Sequence, residues 1–215
     1  MNYFLAFVLG YVFGNFPPGY LGVKFIKKAD IRDFGSGNIG MVNVNRVLGT
    51  RWALVALLLD TLKGFAAVKV GSMIGGEMGE MMCGMLGGLG AVVGHNWPAV
   101  LRFKGGKGVA ATSGVVLALS PPAYGVSMAI YILVVAIWRY GSLGSMIAGA
   151  VVPLAFFLFG RSTNEILFGV VLALFILARH HANIRRLLTG NESKLGFKPA
   201  EKISPEEDSE EALEK

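Results

Sequence analysis

The sequence predicts an all-α integral membrane protein, a bundle of seven transmembrane helices, and three observations point to it. Of 215 residues, 53% are hydrophobic and only 16% are charged, against about 25% charged in soluble domains. Mean hydropathy is +0.57, and apolar stretches recur at roughly the ~20 residues that a helix needs to cross a ~30 Å hydrocarbon core. The chain also carries 30 glycines, as expected where helices pack closely in lipid.

The spans fall at about 3–23, 52–74, 81–99, 109–121, 122–138, 143–160 and 164–178. The first has no basic leader and no A-x-A site, so it reads as a retained span and not a signal peptide. Asn15, Pro17 and Pro18 interrupt it, and the carbonyls freed there must find partners within the protein or in a water-filled cavity. The second contains Asp60 and Lys63. Three residues apart on a helix, they read as a mutually neutralising structural pair. The third holds the lone Cys83, a packing residue with no disulfide or thiolate-metal role.

The run 109–138 has no charged residue and as one helix would be ~45 Å long. Ser120-Pro121-Pro122 splits it, because proline removes a backbone donor and clashes with the preceding turn. Charge arbitrates. With seven spans and the N-terminus outside, Lys24, Lys27, Lys28, Arg32, Arg46, Arg51, Arg102, Lys104, Lys107, Arg139 and the tail cations share one side. Of the 20 Lys and Arg residues, only Arg161 then lies in an outer loop, with Lys63 and Lys69 inside the second span. A single span over 109–138 would move Arg139 and the whole basic tail outside. The positive-inside rule therefore selects seven spans, N-terminus out and C-terminus cytoplasmic. Residues 1–192 form the membrane domain, and 193–215 an acidic, disordered cytoplasmic tail. No internal repeat is evident.

This topology gathers four polar segments on the cytoplasmic face. The first is Gly35-Ser36-Gly37-Asn38-Ile39-Gly40, followed by Asn43 and Arg46. Its glycines let backbone N–H groups approach an anion. Ser36, Asn38 and Asn43 add neutral donors, and Arg46 a fork suited to phosphate. The likeness to a dinucleotide fingerprint is superficial, since no strand–helix unit surrounds it. The second runs from His95 to Lys104-Gly105-Gly106-Lys107-Gly108. It is not a P-loop, which requires a hydroxyl after the lysine, but its cations and flexible backbone suit a phosphate monoester. The same charges would also suit anionic lipid headgroups. His95 reads as a hydrogen-bonding structural residue sooner than a base.

The third segment, Arg139 to Ser145, contributes Ser142 and Ser145, although Ser142 could instead cap the next helix. The fourth is Arg179-His180-His181-Ala182-Asn183. On a helix His180 and Asn183 share a face and His181 does not. A histidine there can act as base or orient a hydroxyl, or the segment can be a basic helix end at the membrane surface.

Together these segments resemble the bacterial membrane glycerol-3-phosphate acyltransferases that use acyl phosphate. The resemblance rests on GSGNIG-x-x-N-x-x-R-x-LG at 35–49, GHNWP…RFKGGKGVA at 94–110, RYGSLGS at 139–145 and RHHANIRRLLTGNE at 179–192, in that order, with LLDTLKG at 58–64. It covers about Asn15 to Glu192. The chain departs from the family pattern at Met41-Val42 and at Ala111-Thr112. The resemblance implies transfer of a fatty acyl group from acyl phosphate to the 1-hydroxyl of glycerol 3-phosphate. It further implies a site facing the cytoplasm from the bacterial inner membrane, no metal or other cofactor, and no nucleic acid. The partners are membrane lipids and the soluble enzyme that makes acyl phosphate. On that basis His180 and Asn183 are the catalytic candidates. Ser36, Gly37, Asn38, Gly40, Asn43, Arg46, Lys104, Gly105, Gly106, Lys107, Gly108, Ser142 and Ser145 are the phosphate-binding candidates.

Three other readings compete. An anion transporter explains the spans and the cationic loops, but alternating access wants a midplane site. An enzyme using acyl-CoA would carry a His-x-x-x-x-Asp pair, and Val100, Arg185 and Arg186 stand at the positions where the aspartate would fall. A purely structural protein leaves the glycine-rich loops without purpose.

Overall fold

The structure, a computed structural model, describes residues 1–196. From residue 197 onward the expected acidic tail lies outside the described residues, as do Lys198, Lys202 and Lys215 of the charge argument. In chain order the helices are α1 (Asn2–Gly14), α2 (Pro18–Lys27), α3 (Met41–Leu48), α4 (Thr50–Asn96), α5 (Val109–Leu119), α6 (Pro121–Trp138), α7 (Gly141–Leu158), α8 (Thr163–Arg179) and α9 (His181–Leu188). Short 3₁₀ turns occupy Ile31–Asp33 and Ala99–Leu101. No β-strand occurs among the described residues. The chain divides into two compact units, one of Met1–Phe16 with Leu58–Leu195, the other built around Pro17–Leu57.

The larger unit is held by backbone-to-backbone packing. The helix α4 reverses at Gly76 (φ 59°, ψ −167°), a conformation open to glycine and strained for any other residue. Its two arms, 58–75 and 77–96, lie against each other: a Cβ added to Gly84 would come 2.6 Å from Ser72 Oγ, and one on Gly75 would come 2.9 Å from Cys83 Cβ. The second arm also receives α1. A Cβ on Gly90 would lie 2.7 Å from Tyr11 N, and one on Gly94 would lie 3.0 Å from Gly14 Cα. The first arm packs on α5 in the same way, with Gly114 against Phe65 N at 2.8 Å. In lipid no hydrophobic force pulls helices together, so small residues that let backbones touch supply the contact.

The break expected at Ser120-Pro121-Pro122 is present. The helix α5 stops at Leu119, Ser120 is extended (φ −152°), and α6 begins on Pro121. With 11 residues, α5 is about 17 Å long by helical rise, too short to cross unaided. Beyond it α6, α7 and α8 pack in sequence around Phe156, Val152, Leu172 and Val115, all buried. A Ser162–Glu165 capping box starts α8, and Arg161 pairs with the Glu165 carboxylate. Among the described residues, three stretches are long and apolar enough to cross a membrane: Asn2–Lys27, Pro121–Trp138 and Gly141–Leu158. A fourth follows if Thr163–Arg179 and His181–Leu188, bent by 61°, count as one. The outward faces of α6 to α8 carry Ile132, Leu133, Phe157, Leu167 and Leu174, an apolar surface that water would penalise and lipid accepts.

The first span is broken, as Pro17 and Pro18 foretell: α1 ends at Gly14 and α2 starts at Pro18. Within the larger unit the carbonyls of Gly14 and Phe16 accept hydrogen bonds from Lys63 Nζ at 3.0 and 2.7 Å. The expected Asp60–Lys63 pair forms at 2.8 Å, and His95 joins it, with Nδ1 3.2 Å from Asp60 Oδ1.

In the smaller unit α2 packs on α3 and on the 3₁₀ turn, burying Val23, Ile31, Ile39 and Val44. Asp30 caps that turn and pairs with Arg32 at 2.6 Å.

The glycine contacts make a direct prediction. Replacing Gly90 by Ala forces apart two backbones, and overpacking of this kind costs about 1–3 kcal/mol. Thermal unfolding in detergent should show the loss. Gly125, on an exposed face of α6 with nothing within 4 Å of its would-be Cβ, is the control: Gly125→Ala should be neutral or gain up to about 1 kcal/mol.

Candidate active site

In the smaller unit the segment 35–46 folds around one amide. Asn43 is buried, and its Nδ2 donates to Ile31 O (3.2 Å), Phe34 O (2.9 Å) and Asn38 O (2.9 Å). Its Oδ1 accepts the Ser36 backbone N–H at 3.2 Å. Asn38 closes a local turn by accepting from Gly40 N at 2.8 Å, and Gly35 and Gly37 both adopt positive φ. The Asn43 amide is thus directed at carbonyls of its own loop. The Ser36 side chain is exposed, and Arg46 is half-buried in the last turn of α3.

In the larger unit the segment 102–108 is clamped from two sides. Gly106 N–H donates to His95 O at 3.0 Å, and the His95 ring lies against Gly106, where a Cβ would collide with Nε2. From the other side Arg179 donates to Gly106 O (Nε 3.1 Å, Nη2 2.9 Å) and to Gly105 O (3.3 Å). Its guanidinium stacks 5.3 Å over Trp97. Gly108, at φ 80°, precedes α5 and abuts Asn96, and no L side chain is comfortable there. Asn96 is fully buried, with neither amide atom hydrogen-bonded to protein. Lys104 is exposed, and Lys107 Nζ donates to Asn183 Oδ1.

Asn183 in turn donates to Glu192 Oε1 at 2.7 Å. Ser142 Oγ donates to the same oxygen at 2.5 Å, and Arg186 Nε to Oε2 at 2.8 Å. Burial works against the Glu192 charge, but these three donors and the Arg186 cation outweigh it and hold the carboxyl below the usual range. The structure therefore brings together Lys107, Ser142 and Asn183 around an acid that the motifs did not single out. Ser142 stands in the first turn of α7 without capping it; Ser145 Oγ is turned to Gly141 O of its own helix at 2.8 Å.

His180 and Asn183 are both buried and His181 is exposed, the facing that their spacing predicts. His180 Nδ1 lies 2.8 Å from Ile176 O. Only a ring N–H can bond to a carbonyl oxygen, so Nδ1 carries the proton, and in the neutral ring Nε2 is an acceptor. Burial, and then the Lys107 charge, lower the His180 pKa to about 4.

Sequence reasoning missed Glu192, Arg186, Arg179 and Asn96. Glu192 borders the acidic tail, and Arg179 and Arg186 read as surface charges; only tertiary partners give them roles.

The described family model for glycerol-3-phosphate acyltransferase matches residues 4–190. A Desulforudis audaxviator protein named glycerol-3-phosphate acyltransferase is 45% identical over 194 residues, 90% of this chain and 96% of its own. One of the same name from Clostridioides difficile is 40% identical over 199 residues, 92% and 97% of the two chains. The crystal structure of PlsY (YgiH), an integral membrane glycerol 3-phosphate acyltransferase in its glycerol 3-phosphate form, superposes with a TM-score of 0.84 at 35% identity. The match covers 91% of this chain and 96% of that one. Its lysophosphatidic acid form gives 0.82 at 33% identity, over 93% and 98%.

Because the His180 pKa lies below the ordinary 6.5, the neutral acceptor form persists as pH falls through 6.5 and is lost only as pH approaches 4. The pH profile of kcat/KM should show no histidine limb between about pH 5.5 and 7.5. An acidic limb near 6.5 that vanishes in His180→Ala would contradict this.

Proposed function

The chain belongs to the glycerol-3-phosphate acyltransferase family, and from that premise we propose that it transfers a fatty acyl group from acyl phosphate to the 1-hydroxyl of sn-glycerol 3-phosphate. The hydroxyl oxygen attacks the acyl carbonyl, the bond from that carbon to the phosphate oxygen breaks, and 1-acylglycerol 3-phosphate and phosphate leave. The donor is already activated, so no covalent enzyme intermediate is needed. Positioning two reactants supplies up to about 7–11 kcal/mol in ideal models.

The observation that carries the reading is the fixed tautomer of His180, adjoining the Lys107–Asn183 contact in the same unit. An acceptor nitrogen without charge aims a hydroxyl, and the cation stabilises the charge that grows on a phosphate oxygen. With a pKa of about 4, His180 is a weak proton acceptor. We assign it the aiming of the hydroxyl, and give the proton to a substrate phosphate oxygen. Lys104, Lys107 and Ser142, and in the smaller unit Ser36 and Arg46, are assigned to phosphate binding, with Gly37, Gly40, Gly105, Gly106 and Gly108 admitting oxygens to the backbone. Asn43 and Ser145 act here by shaping their own segments, which is where their hydrogen bonds go.

The same proposal places the enzyme in the bacterial cytoplasmic membrane with seven spans, N-terminus out. The two arms of α4 supply the second and third, and α5 and α6 the fourth and fifth. The charge distribution supports the sidedness, since a soluble phosphorylated acceptor arrives where the cations are. The soluble enzyme that makes acyl phosphate is then its supplier.

Purified protein supplied with glycerol 3-phosphate should form lysophosphatidic acid from acyl phosphate and not from acyl-CoA. Lys107→Ala and Arg46→Ala should each lower kcat/KM by about 10²-fold or more, the scale for losing a charge-stabilising donor, while the protein stays folded. Product from acyl-CoA alone, or wild-type rates in both variants, would refute the assignment. For topology, Glu77→Cys should react with an impermeant thiol reagent in intact cells and Arg102→Cys only after permeabilisation, while buried Cys83 stays silent.

A further inference from the structure

Three buried groups, Asp60, Lys63 and His95, lie only 2–6% exposed in the larger unit, and the chemistry above leaves them unused. An ammonium has three donors and no acceptor. Lys63 Nζ donates to Gly14 O (3.0 Å) and Phe16 O (2.7 Å) and is ion-paired with Asp60 Oδ1 (2.8 Å). His95 Nδ1 is hydrogen-bonded with the same ammonium at 3.0 Å and lies 3.2 Å from Asp60 Oδ1, so both members of the pair hold the ring. The ring is thereby fixed in orientation, with its Nε2 set directly against Gly106. The His95 carbonyl simultaneously takes the Gly106 N–H at 3.0 Å.

A mutually neutralising pair on one helix face needs no third member, and a helix break needs only donors for its carbonyls. Neither role explains why the pair reaches a histidine whose ring and carbonyl both bear on the glycine-rich loop. We propose that Asp60 and Lys63 are positioning residues for the acyltransfer reaction. Acting through His95, they set the height and orientation of the 105–108 backbone, and so the place of Lys107 and of the N–H groups that meet a substrate phosphate. Gly106 is glycine because the ring occupies the space of a side chain.

The test is a kinetic split joined to a double-mutant cycle, using the full chain in detergent, glycerol 3-phosphate and whichever acyl donor the wild-type protein uses. The result therefore does not depend on the identity of the donor. Asp60→Asn keeps an oxygen for both neighbours but removes the charge that locks them. It should raise the KM of one substrate by about 10-fold with kcat within about 3-fold, the signature of lost positioning of a binding group. Gly106→Ala should show the same split. The double variant should lose less than the product of the two, because residues sharing one contact are not additive. Lys63→Arg, which keeps donors and charge, should retain more activity than Lys63→Met. If Asp60→Asn does not fold, His95→Gln takes its place in the cycle with the same expectation. Wild-type KM values in the folded variants, or losses that multiply in the cycle, would overturn the proposal. A trio serving only the helix break would lower thermal stability and leave the KM of the folded enzyme unchanged.

Discussion

One ammonium group answers the strictest demand of an apolar solvent. Where α1 stops short of two prolines, the carbonyls of Gly14 and Phe16 have no partners on their own helix. Each unsatisfied group in hydrocarbon costs several kcal/mol. Lys63 reaches both, and Asp60 makes the buried cation tolerable. Removing one partner of such a buried pair costs about 3–5 kcal/mol. The helix that carries these residues runs on through Gly76 to His95, so the break in the first span and the entrance to the basic loop are tied to a single network. That network meets the glycine-rich loop through the His95 ring and carbonyl, which both lie against Gly106.

The site itself is arranged as alternating charge and amide. Asn183 stands between Lys107 and Glu192; its oxygen faces the cation and its nitrogen the anion, so its side chain has one orientation. Ser142 and Arg186 meet the same carboxylate. Two elements far apart in sequence, the start of α7 and the end of α9, thereby share one anchor. His180 is oriented separately, by the backbone of α8, which leaves its other nitrogen as an acceptor. His180 is thus positioned independently of the Glu192 anchor that Asn183, Ser142 and Arg186 share.

Much of this was legible in the residues. Hydropathy and the Pro-Pro signals found the helices and both breaks, because each rests on local chemistry. The spacing of His180 and Asn183 foretold their common face, and Asp60 and Lys63 their pairing, for the same reason. The start and short reach of α5 were legible too, but the packing of Gly108 on Asn96 just before it was not. Nor was the role of Asn43: an asparagine in a polar loop reads as a donor for ligand, and only the folded loop shows three carbonyls converging on it. Lys63 and its partners are separated by 49, 47 and 32 residues, and Glu192 lies 50 from Ser142. Periodicity carries no information at those distances. Family resemblance supplied the order of the motifs but not these contacts.

The seam between α1 and the second arm of α4 has a consequence for how the bundle responds to heat. Its contacts run through Gly10, Gly14, Gly90 and Gly94, which have no rotamers to restrict. Joining these helices therefore avoids the side-chain entropy, about 0.5–1 kcal/mol for each leucine or isoleucine, that an interlocked aliphatic seam gives up. What is surrendered on assembly comes from the main chain, already ordered within each helix. At these glycines the helices meet backbone to backbone, and such a seam should weaken little as temperature rises.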